Sequence, residues 1–193
     1  MTLSGPWIFL AFLGLVALVR LGELVLSKRN QAHHGSRAQV VRERIFFWMV
    51  VLHASQFVLL PLELFWRRPD FGGVVSFAAI GLFVFAQVMR VWTLRTLGKS
   101  WNVRVLQSED YPIVTSGPYR WIRHPNYAIV IVEIAAIPLI YHLYASALIL
   151  SVANALVLRV RIGNEEAALM QNPAWAQGMA HKPRFFPFMS APR

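Results

Sequence analysis

The apolar residues of this chain fall in blocks too long for a water-soluble core. The first runs from Pro6 to about Leu26, enough to cross a bilayer at a rise of 1.5 Å per residue. No basic segment precedes it and no small-residue cleavage site follows, so it reads as a retained span rather than a signal peptide. Arg20 and Glu23 lie one helical turn apart near its end and can pair. A second block covers about Ile45 to Phe65 and carries His53, Gln56 and Glu63. A third covers about Val74 to Val91, entered through Gly72 and Gly73 and ending with Gln87 and Arg90. The last, about Tyr127 to Val160, is too long for one span and short for two. Pro138 and the polar run Tyr141 to Tyr144 divide it into a tight antiparallel hairpin.

The pattern therefore predicts an all-α integral membrane protein of five transmembrane helices, the last two forming the hairpin. It reads as one structural unit with two regions: residues 1–92, a three-helix membrane part, and residues 93–193, comprising a polar loop, the hairpin at 127–160 and a tail. The loop after the first helix carries Lys28, Arg29, Arg37, Arg42 and Arg44, whereas the next carries only Arg67 and Arg68. By the positive-inside rule the first loop is cytoplasmic, the N-terminus lies outside, and both the 93–126 segment and the C-terminus lie inside. The two segments richest in polar, glycine, proline and aromatic residues then face one compartment, and a bacterial inner membrane is the expected location.

Composition sharpens this picture. Of 193 residues, 56% are hydrophobic and 15% charged. Lys and Arg number 19 against 9 Asp and Glu, a net charge of +10 that in a soluble domain would suggest nucleic acid. Here the basic residues flank apolar blocks, where they orient the chain and attract anionic lipid head groups, so membrane lipids and no nucleic acid are the expected partners. The absence of cysteine excludes disulfides, thiolate metal sites and a cysteine nucleophile. No internal repeat of the kind that announces a two-halved transporter is visible.

The loop between the third helix and the hairpin reads Leu97 to Asn102, then Tyr111 to Tyr119, then Arg123 to Tyr127, with glycines and prolines that demand sharp turns. Pro125 suits the first turn of the hairpin's leading helix and pushes His124 toward extended geometry. Beyond the hairpin, Arg161 and Glu165 are four residues apart, a spacing that alone reads as an ordinary surface ion pair. His53 reads as a buried, hydrogen-bonded helix residue. Glu63 and Glu133 are carboxylates in apolar helices, each requiring a partner or a water-filled cavity, with Arg90 one candidate for Glu133. Trp92 and Trp101 read as interfacial anchors, and the aromatic-basic tail from Trp175 to Phe188 as a segment lying on the membrane surface or, alternatively, closing over a cofactor. His33 and His34 lack a third ligand, so no metal is expected.

Together, Gly117-Pro-Tyr119, Arg123-His124-Pro125, Tyr127 and, after the hairpin, Arg161 through Glu165-Glu166 with Leu169 resemble the membrane methyltransferases related to isoprenylcysteine carboxyl methyltransferase. The resemblance covers about Leu94 to Leu169. Leu97 to Asn102 and the Arg-Val-Arg-Ile run before the glutamates look closest to a bacterial branch that O-methylates alkylpyrones and alkylresorcinols. The resemblance implies S-adenosylmethionine bound in a cytoplasmic pocket and a lipophilic acceptor entering from the bilayer. It places Gln107, Tyr111, Pro112, Ile113, Val114, Tyr119, His124, Pro125, Asn126, Tyr127 and Glu165 at the cofactor, and Arg161 at the acceptor. Where the family often has a histidine at the start of the cofactor run, this chain has Tyr111.

Methyl transfer from a sulfonium needs an in-line, desolvated nucleophile and no metal. A carboxylate or acidic hydroxypyrone is ionised already and Arg161 need only orient it, whereas a resorcinol needs a proton acceptor, for which His124, Glu166 and Glu165 are all available. Isoprenylcysteine-like carboxylates and phospholipid amines are alternative acceptors. An NADPH-dependent membrane reductase and a transporter or scaffold are the rival classes. The sequence leaves the acceptor and the oligomeric state open, because apolar tunnel walls read alike whatever tail they hold.

Overall fold

With no water inside a bilayer to satisfy its backbone, an isolated apolar block is stable there only as a helix. The computed structural model describes residues 5–34, 39–40, 44–104, 106–107 and 113–187. In chain order these form α1 (Gly5–His34), β1 (Gln39–Val40), α2 (Ile45–Arg67), α3 (Gly73–Leu97), β2 (Leu106–Gln107), α4 (Pro125–Leu139), α5 (Tyr144–Leu169) and the short α6 (Pro173–Gly178). α1, α2, α3 and α5 are each long and apolar enough to cross a membrane, and α4 is a shorter apolar helix. The protein is an all-helical integral membrane protein, apart from one antiparallel pairing of two residues per strand between β1 and β2.

The five expected helices are present, but three run further than their apolar blocks. α1 continues to His34, α3 to Leu97 and α5 to Leu169. The extensions are polar-faced turns that do work at one end of the bundle: Ser27 and Asn30 near the end of α1 are buried against the segment that follows α3. The hairpin breaks at Ile140–Leu143, just past Pro138, where His142 takes a left-handed φ of 54°. α3 packs on α4, α4 on α5, and α2 on α5. The core is apolar where these helices meet, around Leu52, Leu60, Leu64, Ile134, Ile137 and Leu150.

The carboxylates buried among the helices are all engaged, whereas Asn154 Oδ1 of α5 is buried without a partner. Arg20 donates to Glu23 at 2.7 Å, as their spacing suggested, and also to Glu133 at 2.6 Å. Glu133 further accepts from Arg90 and Gln87, so its partners are structural. At the opposite end, Glu63 of α2 accepts from the backbone N–H groups of Ala145 (3.2 Å) and Ser146 (2.7 Å) and from Arg67 (2.9 Å). α5 has no N-cap side chain of its own, so Glu63 caps it from the neighbouring helix. Glu63→Ala is therefore expected to lower stability by about 2 kcal/mol, read as an earlier thermal unfolding midpoint in detergent, because two helix-terminal donors and Arg67 lose their acceptor.

Candidate functional site

At the end of the bundle where α3 stops and α4 begins, the chain folds back on itself rather than leaving the surface. Gly117 adopts φ 55° and lies so close to α3 that a Cβ there would come within 2.4 Å of Thr96 Oγ1. Only glycine fits both the left-handed backbone and the approach, and it sets the 3-10 turn Gly117–Arg120 against α3. Pro125 then occupies the first position of α4 and His124 the preceding one, in the non-helical geometry expected of a residue before proline.

The segment 98–104 is fixed from two sides. Asn30 donates to the Trp101 carbonyl at 2.7 Å, and the Ser27 hydroxyl accepts from Val103 N–H at 3.0 Å. From α5, Arg161 donates to the Val103 carbonyl at 2.7 Å and, through Nε, to the Tyr127 hydroxyl at 3.1 Å. That hydroxyl in turn donates to the Glu165 carboxylate. Tyr127 thus joins Arg161 and Glu165 across one helix face.

A second polar group closes the end of the bundle. Glu166 accepts from Arg123 (2.8 Å), His124 (2.8 Å) and Arg184 (2.7 Å). The tail completes the clamp: Arg123 N–H donates to the Pro183 carbonyl and His124 N–H to the Arg184 carbonyl, while Lys182 Nζ donates to the Tyr119 carbonyl at 2.7 Å. The tail from Trp175 therefore packs over the 119–124 segment, the second of the two readings of its sequence, with Lys182 and Arg184 partnered within the protein. Burial, reinforced by the charge of Glu165, holds the Tyr119 phenol well above its ordinary pKa, so it remains protonated at neutral pH.

Between these walls lies a cavity of about 500 Å³. One end is lined by Ile113, Val114, Tyr119, His124, Asn126, Tyr127 and Glu165, together with Leu169, Trp175 and Met179. The other runs down between α1 and α2 along Leu21, Leu24, Met49, Val50, Ala54 and Phe57 to His53, Arg20 and Arg90. Leu21, Leu24 and Val50 of this wall are exposed rather than buried in the bundle. His53 Nδ1 donates to the Met49 carbonyl at 2.8 Å, which leaves Nε2 as the acceptor in the neutral ring.

Trp101 Nε1, Asn102 Nδ2 and Asn126 Oδ1 are buried without a hydrogen-bond partner, and all three residues line the cavity. Two donors and an acceptor left unsatisfied beside one void mark a place shaped for a polar ligand.

Seven of the residues expected at a cofactor thus share one wall: Ile113, Val114, Tyr119, His124, Asn126, Tyr127 and Glu165. Arg161 is on the cavity surface as well. Pro125 is buried at the start of α4 outside the lining, and Glu166 likewise lies outside it, engaged by Arg123, His124 and Arg184. Gln107 is placed by its backbone alone, in β2 opposite Gln39, and Tyr111 and Pro112 lie outside the described residues. Sequence reasoning passed over Phe46 and Arg104, and took Trp101 for an interfacial anchor. Trp101 is only 3% exposed, whereas Trp92 is 41% exposed as an anchor should be. The cue available was the adjacency of Trp101, Asn102 and Arg104 in a polar segment with turn residues, which suits a folded wall better than a membrane boundary.

Residues 79–171 match the model of the isoprenylcysteine carboxyl methyltransferase (ICMT) family. The uncharacterized protein YpbQ of Bacillus subtilis (strain 168) is 32% identical over 167 residues, covering 86% of this chain and 96% of its own. A Xenopus laevis protein-S-isoprenylcysteine O-methyltransferase is 36% identical over 63 residues, 31% of this chain and 22% of that protein. Among solved structures, the eukaryotic intramembrane Ras methyltransferase ICMT superposes with a TM-score of 0.63 at 19% identity, over 100% of this chain and 71% of that one, and so shares the fold.

Proposed function

This chain belongs to the isoprenylcysteine carboxyl methyltransferase family and is a membrane methyltransferase, and we propose that it uses S-adenosylmethionine to methylate an oxygen of a lipophilic acceptor. The carrying observation is the Tyr127–Arg161–Glu165 group at the junction of the two ends of the cavity, one end polar with orphaned donors, the other apolar between α1 and α2. The polar end suits the cofactor: Glu165 offers a carboxylate, Asn126 an unsatisfied acceptor, Trp101 and Asn102 unsatisfied donors, and Tyr119, Trp175 and Met179 apolar surface. When bound, S-adenosylmethionine supplies an electrophilic methyl group on a sulfonium. The residues of this chain then have to exclude water and hold the acceptor oxygen in line, and Arg161 at the junction is placed to do so. Glu166 and His124 act on the far side of the wall, holding the tail over the site.

We take the hydroxyl of an alkylpyrone or alkylresorcinol as the acceptor, reached from the bilayer through the gap between α1 and α2. A prenylcysteine carboxylate is the second reading, supported by the relatives named for that activity. On the orientation given by the basic first loop, the site faces the cytoplasm. The test is calorimetric titration of S-adenosylhomocysteine into the purified protein in detergent, with NADPH as the control. Saturable binding of the first and none of the second is expected, and Glu165→Ala is expected to weaken that binding about tenfold or more, the loss of one charged contact. Binding of NADPH alone would replace this reading with a reductase.

A further inference from the structure

Five arginines line the cavity: Arg20, Arg90, Arg104, Arg123 and Arg161. Arg20, Arg90 and Arg123 are each bridged to a carboxylate. Arg161 is held by the Tyr127 hydroxyl and the Val103 carbonyl. Arg104 differs from all of them. Its guanidinium carbon lies 4.0 Å from the centroid of the Phe46 ring, and among the described residues no carboxylate or hydrogen-bond acceptor is paired with it. Arg161 faces the same ring from 6.0 Å.

An aromatic face orients a guanidinium and desolvates one side of it, but it leaves the five N–H donors unpaired. Two guanidiniums converging on one ring repel each other, and of the two carboxylates in the cavity lining Glu165 is bonded to Tyr127 and Glu23 to Arg20 and Arg90. Among the described residues, the cavity surface at Phe46 is therefore short of negative charge. Directly below it the lining is apolar, through Met49, Val50 and Phe57.

We propose that Arg104, stacked on Phe46 and paired with Arg161, forms a head-group subsite for an anionic oxygen of the acceptor, which enters already ionised with its tail lying along α1 and α2. The proposal rests on the methyltransferase reading and narrows it. The acceptor's proton has gone to water before binding, so no side chain of the site has to take it. An acceptor with a purely cationic head group is disfavoured by the same two charges. Arg104 is a binding residue for the acceptor and has no part in holding the cofactor.

The experiment uses full-length protein in detergent, saturated with S-adenosylhomocysteine. Two anionic probes are titrated calorimetrically, a long-chain 4-hydroxy-2-pyrone and N-acetyl-S-farnesylcysteine, beside the uncharged methyl ester of the latter. Wild type is expected to bind at least one anion more tightly than the ester. Arg104→Gln is expected to lower anion affinity about tenfold, with Arg104→Lys keeping part of it and Phe46→Leu losing about threefold, while S-adenosylhomocysteine affinity stays as in wild type. Retained cofactor-product affinity also shows that each variant is folded. Unchanged anion affinity in Arg104→Gln, or no anion binding by the loaded wild type, would overturn the subsite. A tenfold fall in S-adenosylhomocysteine affinity would overturn it too, assigning Arg104 to the cofactor's carboxylate. Failure of wild type to bind S-adenosylhomocysteine at all would remove the methyltransferase reading itself and the subsite with it.

Discussion

Glu133→Ala is expected to cost about 3–5 kcal/mol of stability, the largest single-residue effect in the membrane part of this protein. Glu133 is 3% exposed and its two carboxylate oxygens receive Arg90 through both Nε and Nη2, Arg20 at 2.6 Å, and Gln87. Removing it leaves two guanidiniums with Glu23 as their remaining carboxylate, at 2.7 Å from Arg20 and 3.2 Å from Arg90, in surroundings where an unpaired charge is costly. The cost arises from the orphaned partner rather than from loss of a strongly favourable pair, and that distinction is measurable. Arg90→Met alone should be nearly as damaging, whereas Glu133→Leu combined with Arg90→Met should recover about half of the loss, since both charges then leave the membrane together. Thermal or SDS-driven unfolding in detergent, run as a double-mutant cycle, checks this. Strictly additive losses would show that the two side chains do not act on each other.

The same network shows how far the sequence could be read. Lengths of apolar blocks gave five helices because a bilayer leaves an isolated segment no other way to satisfy its backbone, and the pairing of Arg20 with Glu23 followed from one helical turn of spacing. The link from Arg20 and Arg90 to Glu133 joins three helices, and no periodicity within one helix contains it. For the same reason the polar ends of α1, α3 and α5 were cut short: Ser27, Asn30 and Arg161 look like exits to water until the segment 98–104 is seen folded against them. The site was legible where function resides in a local motif, as in His124 to Tyr127. It was hidden where residues distant in the chain converge, as Phe46 does with Arg104, and left as one of two readings where the tail returns to cover Tyr119 and His124. Glu166 illustrates the limit within a motif. Its type and position fit a proton acceptor, but two arginines and His124 already occupy its oxygens.

Arg161→Ala is expected to lower methyl transfer to the acceptor by about 10²-fold or more, close to 3 kcal/mol of transition-state stabilisation, with a much smaller change in S-adenosylhomocysteine affinity. The side chain is 2% exposed and reaches in two directions, to the Tyr127 hydroxyl at 3.1 Å and to the Val103 carbonyl at 2.7 Å. That division fixes the guanidinium in one orientation at the cavity wall, so an acceptor oxygen meeting it is held in one place, and positioning is where most of the rate of a methyl transfer comes from. Arg161→Lys keeps the charge but cannot reach both partners from one planar fork, and an intermediate loss of about tenfold in kcat is expected. Tyr127 and Glu165 remain bonded to each other in both variants, which is why the cofactor side should be little affected. Measuring kcat and KM for the acceptor separately from product affinity decides the matter. A fall in S-adenosylhomocysteine affinity as large as the fall in kcat would mean that Arg161 serves the cofactor wall through Tyr127, and that acceptor orientation lies elsewhere in the cavity.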